Sequence, residues 1–213
     1  METIAKKLTR AFELFNNGKL LEAEKLYGEC LKSPDITPDE YINALHGLGF
    51  VKSHQKDFNQ ARQIYLELRE VTLANRNFQD EHIAIHQMGM VERMAENYSK
   101  AQELFEEELR LLKNSKPDFQ VAFAANYYEQ GLIMLKRNCL EKAEELMMHS
   151  LHYAEQSDDQ ICLGCSLRGL GKVFAAKDEK QRAKNYYLMS LKAFKEANDE
   201  SAINGIRSLI NQL

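Results

Sequence analysis

Apolar positions recur along this chain three and four residues apart, the spacing of amphipathic helices, and the runs they define come in pairs. The pairs align on a small residue that follows a break containing Asn, Asp or Gly. Ala23, Ala61, Ala101, Ala143 and Ala183 then fall 38, 40, 42 and 40 residues apart. Three residues beyond these anchors stand Leu26, Ile64, Leu104, Leu146 and Tyr186, and four beyond stand Tyr27, Tyr65, Phe105, Met147 and Tyr187. Twelve residues before them stand Ala11, Gly49, Gly89, Gly131 and Gly171. Small residues at both places suit two antiparallel helices whose backbones cross closely, with large side chains filling the space on either side. Each copy is therefore predicted to be a helical hairpin, and the chain a series of five.

Local signals place the breaks. Asn16-Asn17-Gly18 ends the first helix, and Thr37-Pro38-Asp39-Glu40 carries an N-cap, a first-turn proline and a capping box. Asp57 and Gln60, Ser157 and Gln160, and Asp178 and Gln181 repeat the cap spacing. Other turns are predicted at Asn97 and near Asn138, with Asn114-Ser-Lys-Pro117-Asp118 separating the third hairpin from the fourth. The resulting repeats run over about 2–33, 38–75, 80–115, 118–157 and 159–197, within a single domain over 1–213. Beyond Asn198-Asp199 a last helix, 199–213, carries Ala202, Ile203, Ile206, Leu209, Ile210 and Leu213 on one stripe. That stripe either caps the open end of the fifth hairpin or forms a homodimer contact.

The order Leu45-x-x-Leu48-Gly49, then Phe58-x-x-Ala61-x-x-x-Tyr65, resembles the tetratricopeptide repeat, as does Leu167-x-x-Leu170-Gly171 with Ala183-x-x-x-Tyr187. Ala11, Gln130 and Lys180 depart from the consensus at single positions. The family's usual period is about 34 residues. The longer unit here is similar to those of Gram-positive peptide receptors of the Rap and PlcR type and of some eukaryotic polarity scaffolds. The resemblance implies an all-α fold: a right-handed α-α superhelix of five hairpins and a C-terminal capping helix.

In that family the first helix of each pair lines a concave surface. Carried over by offset, the stripe comprises Ala5, Leu8, Phe12, Phe15 and Asn16; Asn43, His46, Phe50, Ser53 and His54; and Ile83, His86, Met90, Arg93 and Met94. It continues through Ala125, Tyr128, Leu132, Leu135 and Lys136 to Cys165, Arg168, Lys172, Ala175 and Ala176. None is an acid, so the groove is expected to favour an acidic or carboxylate-bearing peptide. The expected contacts are Asn43, His46, His86, Met90, Arg93, Tyr128, Lys136, Arg168 and Lys172, the basic ones reading carboxylates. The alternative is that the large residues of the stripe simply pack on neighbouring helices. Leu8 and Phe12 replace the Lys and Asn with which chaperone-binding members clamp a terminal carboxylate, so that clamp is not expected here.

Composition narrows the functional classes. A formal charge of −4 and a pI near 5.9 give no general attraction to nucleic acid or anionic membrane. The opening residues lack a signal peptide's apolar run and no segment is long and apolar enough to span a bilayer, so a cytoplasmic protein is expected. The four cysteines are too few and scattered for a disulfide framework. His82-x-x-x-His86, with His46 at the matching place one repeat earlier, has zinc-compatible spacing, but Ile83 stands where a metalloprotease needs Glu. Cys162-x-x-Cys165 lacks the βαβ context of a redox motif and the second pair of a zinc site. Glu106-Glu107-Glu108 and Glu144-Glu145 read as solvated helix faces.

The sequence thus points to a non-catalytic scaffold or adaptor that binds a protein or peptide and needs no cofactor or metal. Two further readings stay open. One is a peptide-sensing regulator resembling the quorum-peptide receptors, without their DNA-binding domain because the first repeat begins almost at Met1. The other is a structural subunit that self-associates through its last helix.

Overall fold

The computed structural model describes residues 2–75, 78–114 and 119–213, with side chains described from Asp80 onward in the segment that begins at 78. Among them are eleven helices: α1 (Ile4–Asn16), α2 (Leu20–Leu31), α3 (Pro38–His54), α4 (Phe58–Ala74), α5 (Phe78–Met94), α6 (Tyr98–Asn114), α7 (Gln120–Lys136), α8 (Leu140–Glu155), α9 (Gln160–Ala176), α10 (Lys180–Glu196) and α11 (Glu200–Asn211). The described residues contain no strand, and no described helix is long and apolar enough to cross a membrane. Most of the predicted linker between the third and fourth hairpins, residues 115–118, lies outside the described residues. The chain divides into two compact units, Met1–Glu108 and Leu109–Leu213.

Glycine and aromatic positions lock each hairpin. A Cβ built on Gly49 would lie closer than 3.0 Å to the Tyr65 ring, and the same holds for Gly89 against Phe105, Gly131 against Met147 and Gly171 against Tyr187. The side chain four residues past each anchor therefore occupies the space that the small residue of the first helix leaves free. All five anchor alanines are completely buried. In the first unit α1 packs on α2 and α3, α2 on α3, and α3 on α4. In the second, α7 packs on α8 and α9, and α9 on α10.

The turns share one mechanism. Gly18, Lys56, Glu96, Asn138 and Asp178 all adopt positive φ, between 58° and 73°, at the same spacing as the anchors. In each case the following residue's N–H returns to a carbonyl five residues back, as from Asp57 to Lys52 and from Glu179 to Phe174. This left-handed closure satisfies carbonyls that a helix end would otherwise leave open. Asn198 closes α10 in the same way.

Two of the four predicted caps form, and Asp199 adds one that the sequence reading did not name. Thr37 and Glu40 make the capping box, Asp57 Oδ1 accepts from the Gln60 N–H at 3.2 Å, and Asp199 Oδ1 accepts from Ala202 at 2.9 Å to start α11. Ser157 does not cap α9: its hydroxyl donates back to the Ala154 carbonyl, and Asp159 accepts from the Cys162 N–H at 2.9 Å instead. Asp178 does not cap α10, because it is the left-handed residue that closes α9; Glu179 takes the N-cap place without a side-chain bond. On α11, Ile203 and Ile206 are buried, and Ala202, Leu209, Ile210 and Leu213 pack against the same core cluster as Leu170, Phe174 and Tyr187. The apolar stripe of the last helix is thus turned to the core of its own unit.

Candidate functional site

The place fifteen residues before each anchor, on the first helix, is taken in turn by Leu8, His46, His86, Tyr128 and Arg168. All five are half-buried. The hairpin fixes the position of this side chain and leaves its chemistry open.

In the first unit, α1 and α3 build a cleft of ≈ 290 Å³ lined by Leu8, Phe12, Phe15, Asn43, His46, Gly47 and Phe50, with Tyr27 of α2 as a further wall. Phe12 is 56% exposed, a large apolar side chain left open to solvent. The Phe15 ring lies 6.0 Å from Phe50, and His46 meets Phe50 edge-on at 4.9 Å. Gly47 admits Tyr27, since a Cβ there would come closer than 3.0 Å to the ring and hydroxyl of that tyrosine. Burial, with a smaller contribution from Cys30, pushes the Tyr27 phenol up to about 12. His46 Nε2 is buried without a hydrogen-bond partner. Desolvation, and then the nearby His86, lowers the pKa of His46, so its ring is neutral at pH 7.

Of the other expected contacts in this unit, none lines the cleft. His86 Nδ1 lies 2.9 Å from Glu108 Oε2, and His82 Nδ1 lies 3.8 Å from Glu108 Oε1, the glutamate side chain being only 1% exposed. Met90 and Arg93 are half-buried farther along α5. The solvated-face reading of Glu106-Glu107-Glu108 therefore fails at its last member. Seven residues past the anchor the helix faces inward, and that place holds buried Cys30, Leu68, Ser150 and Ser190 in the other hairpins. Glu107 pairs with Arg69, while Glu106 is exposed. Glu144 likewise pairs with Lys177, at 2.7 Å.

In the second unit, Arg168 of α9 reaches Tyr128 of α7. Its Nη2 donates to the Tyr128 hydroxyl at 3.1 Å and to Cys165 Sγ at 3.3 Å, and the guanidinium lies over the Tyr128 and Phe194 rings at 5.9 and 5.6 Å. Its Nε is buried without a partner, and among the described residues no carboxylate is in ion-pair contact with it, although the more distant Asp199 carboxylate adds to the interactions that raise its pKa. Other partly buried cations do find acids: Lys52 meets Glu24 at 2.5 Å, Arg62 meets Glu92 at 2.7 Å and Lys177 meets Glu144. Lys172 is half-buried one turn beyond Arg168, whereas Lys136 is exposed at the last residue of α7.

The candidate chemical motifs show no reactive arrangement. Burial first, then neighbouring Asp159 and Cys165, pushes the Cys162 thiol up to about 12; burial also raises Cys165. Both thiols are protonated at neutral pH and so are poor nucleophiles. Cys30 is buried, and Cys139 is exposed at the N-cap of α8. Among the described residues no three His, Cys, Asp or Glu side chains are arranged to hold a metal ion.

Tyr27 and Gly47 complete the first-unit cleft without belonging to the stripe read from the sequence. The available signal was Gly47 itself, a second glycine two residues before the repeat's own Gly49.

Comparison with known proteins adds the following. The family model described as Tetratricopeptide repeat matches residues 40–114, the second and third hairpins. No curated protein matches the chain in sequence. A Rap protein crystallised in complex with Competence and Sporulation Factor aligns over 98% of this chain and 62% of its own, with a TM-score of 0.82 at 12% identity. BtubC (BKLC) from P. vanneervenii aligns over 92% and 81%, with a TM-score of 0.68 at 16% identity. A putative kinesin light chain with TPR-like repeats from Podosopora anserina aligns over 94% and 100%, with a TM-score of 0.63 at 13% identity. At such identities the likeness is one of fold.

Proposed function

We propose that the chain, whose residues 40–114 match the tetratricopeptide-repeat family, is a non-catalytic scaffold or adaptor that holds a protein or peptide segment on the first helices of its hairpins, and that Arg168 reads a carboxylate of that segment. The observation that carries this is that among the described residues no carboxylate contacts Arg168, the one that acts on it, that of Asp199, being more distant. A guanidinium is always charged, and a partly desolvated charge is costly without a partner. The Tyr128 hydroxyl and Cys165 sulfur engage Nη2 alone, which orients the fork without neutralising it. A ligand carboxylate would supply that charge through a charge-assisted hydrogen bond, worth about 1.5–3 kcal/mol. Lys172 and Lys136 are the further basic positions, while Asn43, His46, His86, Met90, Arg93 and Tyr128 are assigned amide, imidazole and apolar contacts.

One observation favours a more specific version, a peptide-sensing regulator: the TM-score of 0.82 to a Rap protein solved with Competence and Sporulation Factor. In that version ligand binding alters how the scaffold meets an effector protein.

Capture from a lysate of the source organism tests the reading. Wild type and Arg168→Glu/Lys172→Glu are immobilised side by side, after circular dichroism shows that both are folded at the temperature of capture. The expected result is a set of partners retained by wild type and lost by the variant. Identical partners on both would move binding away from Arg168.

A further inference from the structure

The cleft of the first unit is built for a different chemistry, because none of its lining residues is charged: four aromatic side chains, Phe12, Phe15, Tyr27 and Phe50, surround it together with the neutral His46. Its polar side chains are Asn43, Tyr27 and His46, and among the described residues none of the three makes a hydrogen bond. A half-buried imidazole and a buried tyrosine, neither hydrogen-bonded, beside a cavity mark a site whose partner comes from elsewhere. The volume of ≈ 290 Å³ lies at the lower edge of the roughly 300–1,000 Å³ typical of pockets for whole small molecules. It is sized for one side chain.

The walls choose which one. Rings meeting edge-on favour an aromatic insert. An acidic side chain would lose its hydration against walls that carry no cation. An indole N–H only donates, and a phenyl ring leaves the imidazole and phenol unpaired. A phenol hydroxyl both donates and accepts, so it satisfies His46 in either neutral tautomer and Tyr27 in either role.

We propose that this cleft is the receptor for a tyrosine side chain of the bound peptide. The inference rests on the reading that the first helices hold a peptide, but it uses residues of the first unit alone and an uncharged ligand group.

The test uses the full chain and two uncharged probes, N-acetyl-L-tyrosinamide and N-acetyl-L-phenylalaninamide, titrated while the NMR signals of Asn43, His46 and Gly47 are followed. Saturable shifts are expected at these residues, with the tyrosine probe bound about fivefold more tightly, the effect of one hydrogen bond. Phe12→Ala, at an exposed position, should weaken both probes. His46→Phe should keep the phenylalanine probe and abolish the preference for tyrosine. Arg168→Gln should change neither affinity, so a failure of the carboxylate site is distinguishable from a failure of this one. Equal affinity for the two probes, a tyrosine preference that survives His46→Phe, or no saturable shift at the cleft would overturn the proposal.

Discussion

His46 and Arg168 occupy the same place in their hairpins, fifteen residues before Ala61 and Ala183, yet one is a neutral ring in an aromatic cleft and the other a cation that, among the described residues, no carboxylate contacts. The difference lies in what stands around them. Beside His46 the cleft is open, with Phe12 exposed to solvent. Beside Arg168 the space is filled by Tyr128 and Phe194, the latter 1% exposed. A repeat thus sets the location of a recognition side chain, and its neighbours decide whether that side chain offers a cavity or a charge.

The comparison breaks most visibly in the aromatic residues. Phe194→Ala should lower the unfolding free energy by about 3–5 kcal/mol, since it empties a core site. Phe12→Ala should change it by less than ~0.5 kcal/mol, as expected for an exposed position. Urea unfolding of the two variants checks the pair, and a large loss for Phe12→Ala would make the cleft a structural feature. Next in size is Arg168→Gln, expected to weaken a captured carboxylate partner by about tenfold to a hundredfold, from the loss of one charge-assisted contact. The variant's own stability should also fall, by about 1–3 kcal/mol, because the hydroxyl of half-buried Tyr128 loses its donor, so affinities are compared where both proteins are folded. An unchanged partner affinity of the folded variant would assign the arginine to the scaffold alone.

The turns offer a smaller contrast. Lys56 in the first unit and Asn138 in the second both hold positive φ, but Asn tolerates that conformation better than Lys. Lys56→Gly should therefore stabilise the protein by about 0.5–1 kcal/mol, and Asn138→Gly by less. The smallest effect concerns pH. The folded pKa of His46 lies below its ordinary value of 6.5, so the unfolded chain binds more protons as pH falls through 6.5. Stability linked to this residue is complete above that pH and declines below it. His46→Phe should flatten that part of the stability curve in denaturant titrations between neutral and mildly acidic pH; an unchanged slope would mean that His46 is not desolvated.

The hairpins were legible because their signals are redundant: Gly49, Gly89 and Gly171 each face the aromatic residue that the repeat spacing also picks out. Caps were less legible. Ser157 and Asp159 are both good N-cap types, and only the backbone path chooses between them. Glu108 was misread because three consecutive glutamates look alike in sequence, while their helical phase puts one inside beside His86 and two outside. The cleft was half visible, through Leu8, Phe12, Phe15, Asn43, His46 and Phe50, but Tyr27 reaches it from a second helix and its approach depends on Gly47. The missing carboxylate contact of Arg168 could not be read at all, since acids are frequent in the sequence and only their positions leave this cation with none of the described ones in contact and Asp199 farther off.

The most direct test of the carboxylate claim is a selection from paired peptide libraries, identical in sequence and displayed with either a free C-terminal carboxylate or a carboxamide. Peptides enriched on wild type are then titrated by fluorescence anisotropy against wild type and Arg168→Gln. The account predicts ligands that carry an acidic side chain or the free carboxylate and lose at least about tenfold in affinity on the variant. Ligands that bind equally well as carboxamides without any acidic residue, or with equal affinity to Arg168→Gln, would contradict it.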